Sequence, residues 1–136
     1  MTNASAKRLS KAEQDRLLAR VRKICLALPD TSEKLSHGEA AFFRRKRSFL
    51  NTDTYHHGSL HYSVWVAAPL GAQDLLVRSD PDLFFVPPYV GYRGWVGVHL
   101  DGDPDWDQVE KVVRDGYDEV GRKEAGHRGG GAGTPD

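Results

Sequence analysis

The sequence has one cysteine and one methionine in 136 residues, no long apolar run, and no net charge, with 19 Lys plus Arg against 19 Asp plus Glu. A single thiol, Cys25, excludes an intramolecular disulfide and any zinc site built on paired cysteines. Apolar runs of only a few residues exclude a membrane-spanning helix. The opening stretch MTNASAKRLS has no apolar segment behind its basic residues, so no signal peptide is expected and a cytoplasmic location is. A net charge of zero withholds the broad basic field that draws proteins to nucleic acid or anionic lipid, and no membrane partner is expected. At 39% apolar and 28% charged, the chain has the composition of one folded domain rather than of a disordered segment.

The balanced total hides an asymmetry. Residues 1–50 hold twelve basic and five acidic residues, a net of +7, and the remainder holds seven basic and fourteen acidic, a net of −7. Opposite signs in the two parts of one small domain point to a basic face and an acidic face, or to helices that simply solvate their surfaces.

Residues 1–9 are small, polar and basic and read as a flexible lead. Ser10 and Glu13 then form a capping box, in which the Ser oxygen accepts an orphan amide and the Glu reaches back to the cap. Leu17, Leu18, Val21, Ile24, Cys25 and Leu28 follow at helical spacing and predict a first helix ending at Pro29. Cys25 lies in that stripe and reads as core, since no neighbour lowers the pKa of its thiol. DTSEKLSHGE (residues 30–39) reads as a polar loop. AAFFRRKRSFLNTDTY and LHYSVWVA, rich in aromatic and β-branched residues, read as strands joined by a turn at His56 to Ser59. Pro69 opens a short helix closed by Asp80-Pro81. Leu83 to Val86 and Gly94 to Leu100 are further strands, with a turn at Tyr89 to Arg93. Asp105 caps a last helix whose stripe is Trp106, Val109, Val112, Val113, Tyr117 and Val120. From Gly121 onward the sequence is glycine-rich and reads as a tail. Strands joined by tight turns, with helices grouped around them, define an α+β fold with an antiparallel sheet packed by N- and C-terminal helices.

Few groups suggest chemistry. Asp101, Asp103, Asp105 and Asp107 alternate like a calcium loop, but Trp106 and Val112 stand where that loop needs Gly and Glu, so capping explains them. His56, His57 and His61 match no ligand spacing, and no metal or other cofactor is expected. Gly91, Gly94 and Gly97 enter a strand rather than a helix, unlike a dinucleotide fingerprint. No phosphate-binding loop, nucleophile elbow or zinc-protease pair occurs, and no enzymatic activity is supported.

Arg44-Arg45-Lys46-Arg47 is the more specific signal. Four consecutive cations repel one another, and a turn between two strands is their natural seat. There their guanidinium groups suit phosphate contacts, unless the turn is only a solvated tip. Trp65, Trp95 and His99 fall opposite the aliphatic positions of their strands. On an open face they would stack on a planar ligand, with Gly97 leaving room for it; under helices they would be core.

The stretch FVPPYVGYRGWVGV (residues 85–98), followed by Asp105-Trp106, closely resembles the MmcQ/YjbR family of small bacterial proteins. Ser36-His37-Gly38, the turn from Asp53 to Gly58, and Ser79-Asp80-Pro81 fit the same family in order. The resemblance spans about residues 12–122. It implies a compact α+β domain with a double-wing arrangement and a shape akin to frataxin and CyaY, in proteins labelled DNA-binding. Arg122-Lys123-Glu124 and the glycines beyond depart from the short basic ending usual there.

The expected organisation is therefore a lead over residues 1–9, one domain over 10–122 and a disordered tail over 123–136. The expected function is non-enzymatic DNA binding by a monomer, with Arg44, Arg45, Lys46 and Arg47 assisted by Arg16, Arg20, Lys23 and Arg93. The alternative is a small-ligand or protein-interaction module, with a planar ligand in a pocket of His37, Tyr89, Arg93 and Trp95.

Overall fold

The computed structural model describes residues 8–56 and 59–131. Helix α1 (Lys11–Leu26) starts as its capping box dictates: the Glu13 amide donates to Ser10 Oγ at 3.1 Å and the Ser10 amide to Glu13 Oε1 at 2.8 Å. Hydrogen bonds from the Ser10 backbone and then from its side chain hold the Glu13 carboxyl below the usual carboxylate range. Residues 8 and 9 are held rather than loose, which corrects the expected extent of the lead. The Leu9 amide donates to the Tyr55 hydroxyl at 2.9 Å, and Arg8 lies 4.9 Å from the Tyr55 ring. Residues 1–7 lie outside the described residues.

Four strands follow, β1 (Thr31–Ser36), β2 (Glu39–Arg44), β3 (Arg47–Thr54) and β4 (Tyr62–Val66). Helix α2 (Ala72–Ser79), β5 (Phe84–Phe85), a 3₁₀ turn (Gly91–Arg93) and β6 (Val96–His99) lead to helix α3 (Trp106–Gly131). The strands form one antiparallel sheet in the order β1-β2-β3-β4-β6-β5. Strand β1 occupies the segment expected to be a polar loop. It is a sheet edge with solvent beside it, so TSEKLS needs no apolar alternation to pair in register with β2. A fork from Arg22 to Glu33, 2.7 and 2.8 Å, ties it to α1. The turn at His56 to Ser59 lies partly outside the described residues, since His57 and Gly58 do.

Helices α1 and α3 cover one sheet face. Phe42, Leu50, Val64 and Val66 point that way and join Val21, Cys25, Val109 and Val113 in the core. Gly116 lets α3 approach closely, because a β-carbon there would strike the Ala67 carbonyl. Cys25 is fully buried and its thiol is pushed up to about 12, as befits a core residue. The glycine-rich segment is a second correction: α3 runs through Gly121 and on to Gly131. Residues 132–136 lie outside the described residues.

Candidate nucleic-acid and ligand interface

The opposite sheet face carries a row running Ala41, Asn51, Trp65, Gly97 across four strands. Its outer end is closed. The Phe85 ring occupies the space a β-carbon on Gly97 would need, and stacks on His99 with ring centres 4.4 Å apart. The room expected beside Gly97 for a planar ligand is thus filled by the protein's own ring. His99 also lies 3.0 Å from Ser63 Oγ and 3.9 Å, ring to ring, from His61, which contacts Asp101 at 3.1 Å. Burial, with repulsion from His61, pushes His99 down to about 4. Ser63 is fully buried, so this Ser-His pair is no nucleophile in reach of a substrate.

Trp65 and Trp95 are core residues, 7% and 3% exposed. Beside Asn51 at the inner end of the row lies a cavity of about 520 Å³, lined by Phe43, His37, Tyr89 and Val90 and by the little that Trp65 exposes. The Tyr89 ring stands 6.4 Å from Trp65 and tilts 43° to it. Tyr89 is 71% exposed and adopts φ 65°, a left-handed backbone that turns it out of the chain's path.

The four cations of the β2–β3 hairpin do different jobs. Arg44 turns inward, donating to the Tyr117 carbonyl at 3.1 Å and lying 4.1 Å from the Tyr117 ring. Gly121 leaves the space for its guanidinium. Its expected role in phosphate binding is corrected: Arg44 fastens the hairpin to α3. Arg45 meets Asp30 at 3.4 Å in a pair more than half exposed, which contributes little to stability. Lys46 is exposed at the tip.

Arg47 faces a notch of about 100 Å³ floored by Ala67, Ala68 and Trp95, with Arg93 and Lys123 also on its rim. Arg93 lies 5.4 Å from the Trp95 ring, at the end of the 3₁₀ turn. That turn is pinned by Gln73 Nε2, which donates to the Gly91 and Trp95 carbonyls at 2.8 and 2.6 Å. Glu119 lies at the notch and pairs with Arg122 and, at 3.9 Å, with Lys123. Ser48 lines both the notch and the larger cavity.

The pocket expected around His37, Tyr89, Arg93 and Trp95 is therefore split in two: His37 and Tyr89 border the large cavity, Arg93 and Trp95 the notch. Sequence reasoning missed Lys123, because the glycines drew the helix end too early, and Glu119, because one carboxylate on the expected helix stands out by no local pattern. Their spacing held a signal, since Glu119 with Arg122 and Lys123 follows the i, i+3 and i, i+4 pairing of a continuing helix. Arg16, Arg20 and Lys23 are exposed on α1. Arg20 packs 4.4 Å over the Trp106 ring at the start of α3, whereas Arg44 sits against Tyr117 and Gly121. Trp106 and Gly121 are separated by roughly 22 Å of helix, so Arg20 and the hairpin do not converge.

Two other polar groups are accounted for locally. Glu39 accepts from the Thr54 amide at 2.8 Å and from Thr54 Oγ1 at 2.7 Å, and meets His56 Nδ1 at 2.5 Å. Asp53 joins them to make a cluster whose ligand atoms lie within 4.8 Å of one another. Asp105 caps α3 by accepting from the Asp107 amide at 3.0 Å, and Asp101 accepts from the Tyr62 amide at 3.3 Å. Among the described residues no helix is long and apolar enough to cross a membrane.

The fold is an α+β domain whose antiparallel sheet is covered on one face by α1 and α3, with a larger cavity and a smaller notch that share Ser48. A family model described as YjbR matches residues 26–119, and the chain belongs to the YjbR family. Its fold is similar to the crystal structure of Deinococcus radiodurans protein DR2400, which carries a DUF419 domain. The TM-score is 0.62 at 19% identity, covering 74% of this chain and 75% of that one. No curated protein matches the chain.

Proposed function

We propose that this domain is a binding module, not an enzyme, and that it holds DNA by its phosphates through Arg47, Arg93 and Lys123. The supporting observation is that these cations, from a hairpin, a 3₁₀ turn and the last helix, border a single notch. Neutral overall charge is compatible with this, because counterion release depends on the local cations that meet phosphate. Lys46 at the hairpin tip extends the patch, and Arg20 on α1 stands apart from it.

Three phosphate contacts imply a log-log salt slope of roughly −2.7, or about a 40-fold loss of affinity from 50 to 200 mM salt. Fluorescence anisotropy on a labelled duplex at those two concentrations measures it. Replacing Arg47 and Arg93 with Ser should weaken binding at least fivefold and flatten the slope. Affinity indifferent to both substitutions overturns the reading.

A second reading is favoured by the cavity of about 520 Å³, which has the size and aromatic lining of a small-ligand site. A planar molecule would pack against the exposed Tyr89 ring. Thermal shift across aromatic metabolites and nucleotides tests it, and no shift with any compound counts against it.

A further inference from the structure

We infer that the cavity and the notch together form one nucleotide site, which takes an unpaired base and the phosphate attached to it. This rests on the phosphate reading of the notch and extends it by naming what the neighbouring cavity holds.

Adjacency is the first argument. Ser48 lines both spaces, and its chain neighbour Arg47 borders the notch. A ligand filling both would pass over Ser48, with its anion between Arg47 and Arg93.

Size and chemistry then assign the two ends. The notch, at about 100 Å³, has the room of roughly three waters, which suits one phosphate group and leaves no place for a ring. The larger cavity, at about 520 Å³, has room for a base and its sugar. Tyr89, 71% exposed and lining this cavity, offers the ring that any base can stack on, with the nearly buried Trp65 behind it. Asn51 is the cross-strand partner of Trp65 and shares its face, so its amide borders the space where a stacked base presents its edge. An Asn amide can both donate to and accept from a base.

The same geometry disfavours a paired base. Inside a duplex the flat faces are stacked and only the groove edges are open, so no base can stack on a ring lining the cavity. The base must be unpaired. Its source is either a free nucleotide or a nucleotide within a single strand.

Titration calorimetry and anisotropy with five probes test the inference: inorganic phosphate, deoxyadenosine, deoxyadenosine 5′-monophosphate, a ten-residue deoxyadenylate strand, and that strand paired with its complement. The monophosphate should bind at least tenfold tighter than either phosphate or the nucleoside. Tyr89→Ala should weaken the monophosphate at least fivefold and leave inorganic phosphate unchanged, whereas Arg93→Ser should weaken both, with circular dichroism showing both variants folded. A strand that binds tenfold tighter than the monophosphate identifies single strands as the source, and equal affinity identifies the free nucleotide. Duplex binding that falls with Arg93→Ser, without any advantage for the monophosphate over phosphate, overturns this inference and leaves the phosphate reading standing. No binding by any probe overturns both.

Discussion

Arg44 and Arg47 show how neighbouring residues of one type divide between structure and surface. They are cross-strand partners at the base of one hairpin, yet Arg44 packs on Tyr117 while Arg47 opens onto the notch. A partly buried cation over a ring and its hydrogen bond to a carbonyl together contribute about 2 kcal/mol. Arg44→Ala should therefore lower the melting temperature by roughly 4–8 °C, as calorimetry would record. Arg47→Ser should leave it within about 1 °C, because exposed sites rarely matter to stability. His99 supplies a pH test. Its folded pKa is held at about 4, against 6.5 for an unperturbed histidine. As pH falls from 6.5 towards 4, the unfolded chain takes up a proton that the folded protein resists, so stability declines through that window and is flat above it. Urea midpoints at pH 7 and pH 4.5 should differ in the parent protein, and His99→Gln should narrow the difference.

At the scale of elements, the helices were legible wherever local chemistry announced them. Ser10 with Glu13 and Asp105 at the head of α3 placed two helix starts, and Val109, Val113 and Tyr117 placed the buried stripe. Two elements were not legible, for separate reasons. Strand β1 lies at an edge, where pairing with β2 holds TSEKLS extended without a buried face to leave a period-two pattern. Helix α3 passes Gly121 because tertiary contact overrides propensity there: only glycine leaves space for the Arg44 guanidinium. Gly116 makes the same point by experiment. Propensity alone predicts that Gly116→Ala stabilises the helix by about 1 kcal/mol. The close Ala67 carbonyl reverses that sign, and the substitution should destabilise the protein by about 2 kcal/mol in denaturant unfolding.

For the whole molecule, charge is distributed by fold rather than by position in the chain. The N-terminal fifty residues carry the excess of basic groups, but Arg20 of α1 packs on Trp106, about 22 Å of helix away from where Arg44 meets Gly121. Meanwhile Arg93 and Lys123, from the acidic remainder, join Arg47. Exchanging Arg20 for Gln should change duplex affinity less than twofold at 100 mM salt, since exposed charges beyond a Debye length of about 10 Å are largely screened.

The sequence by itself determined the fold class, the family resemblance, the helix caps, the core thiol and the hairpin seat of the four cations, because each follows from local pattern or a contiguous motif. Only the tertiary structure decided which cations stand together, that Phe85 fills the space beside Gly97, and that His37 and Tyr89 border one cavity while Arg93 and Trp95 border another. Strand order and the path of α3 bring residues 47, 93 and 123 to one rim, and no local pattern encodes a distance between segments so far apart in the chain.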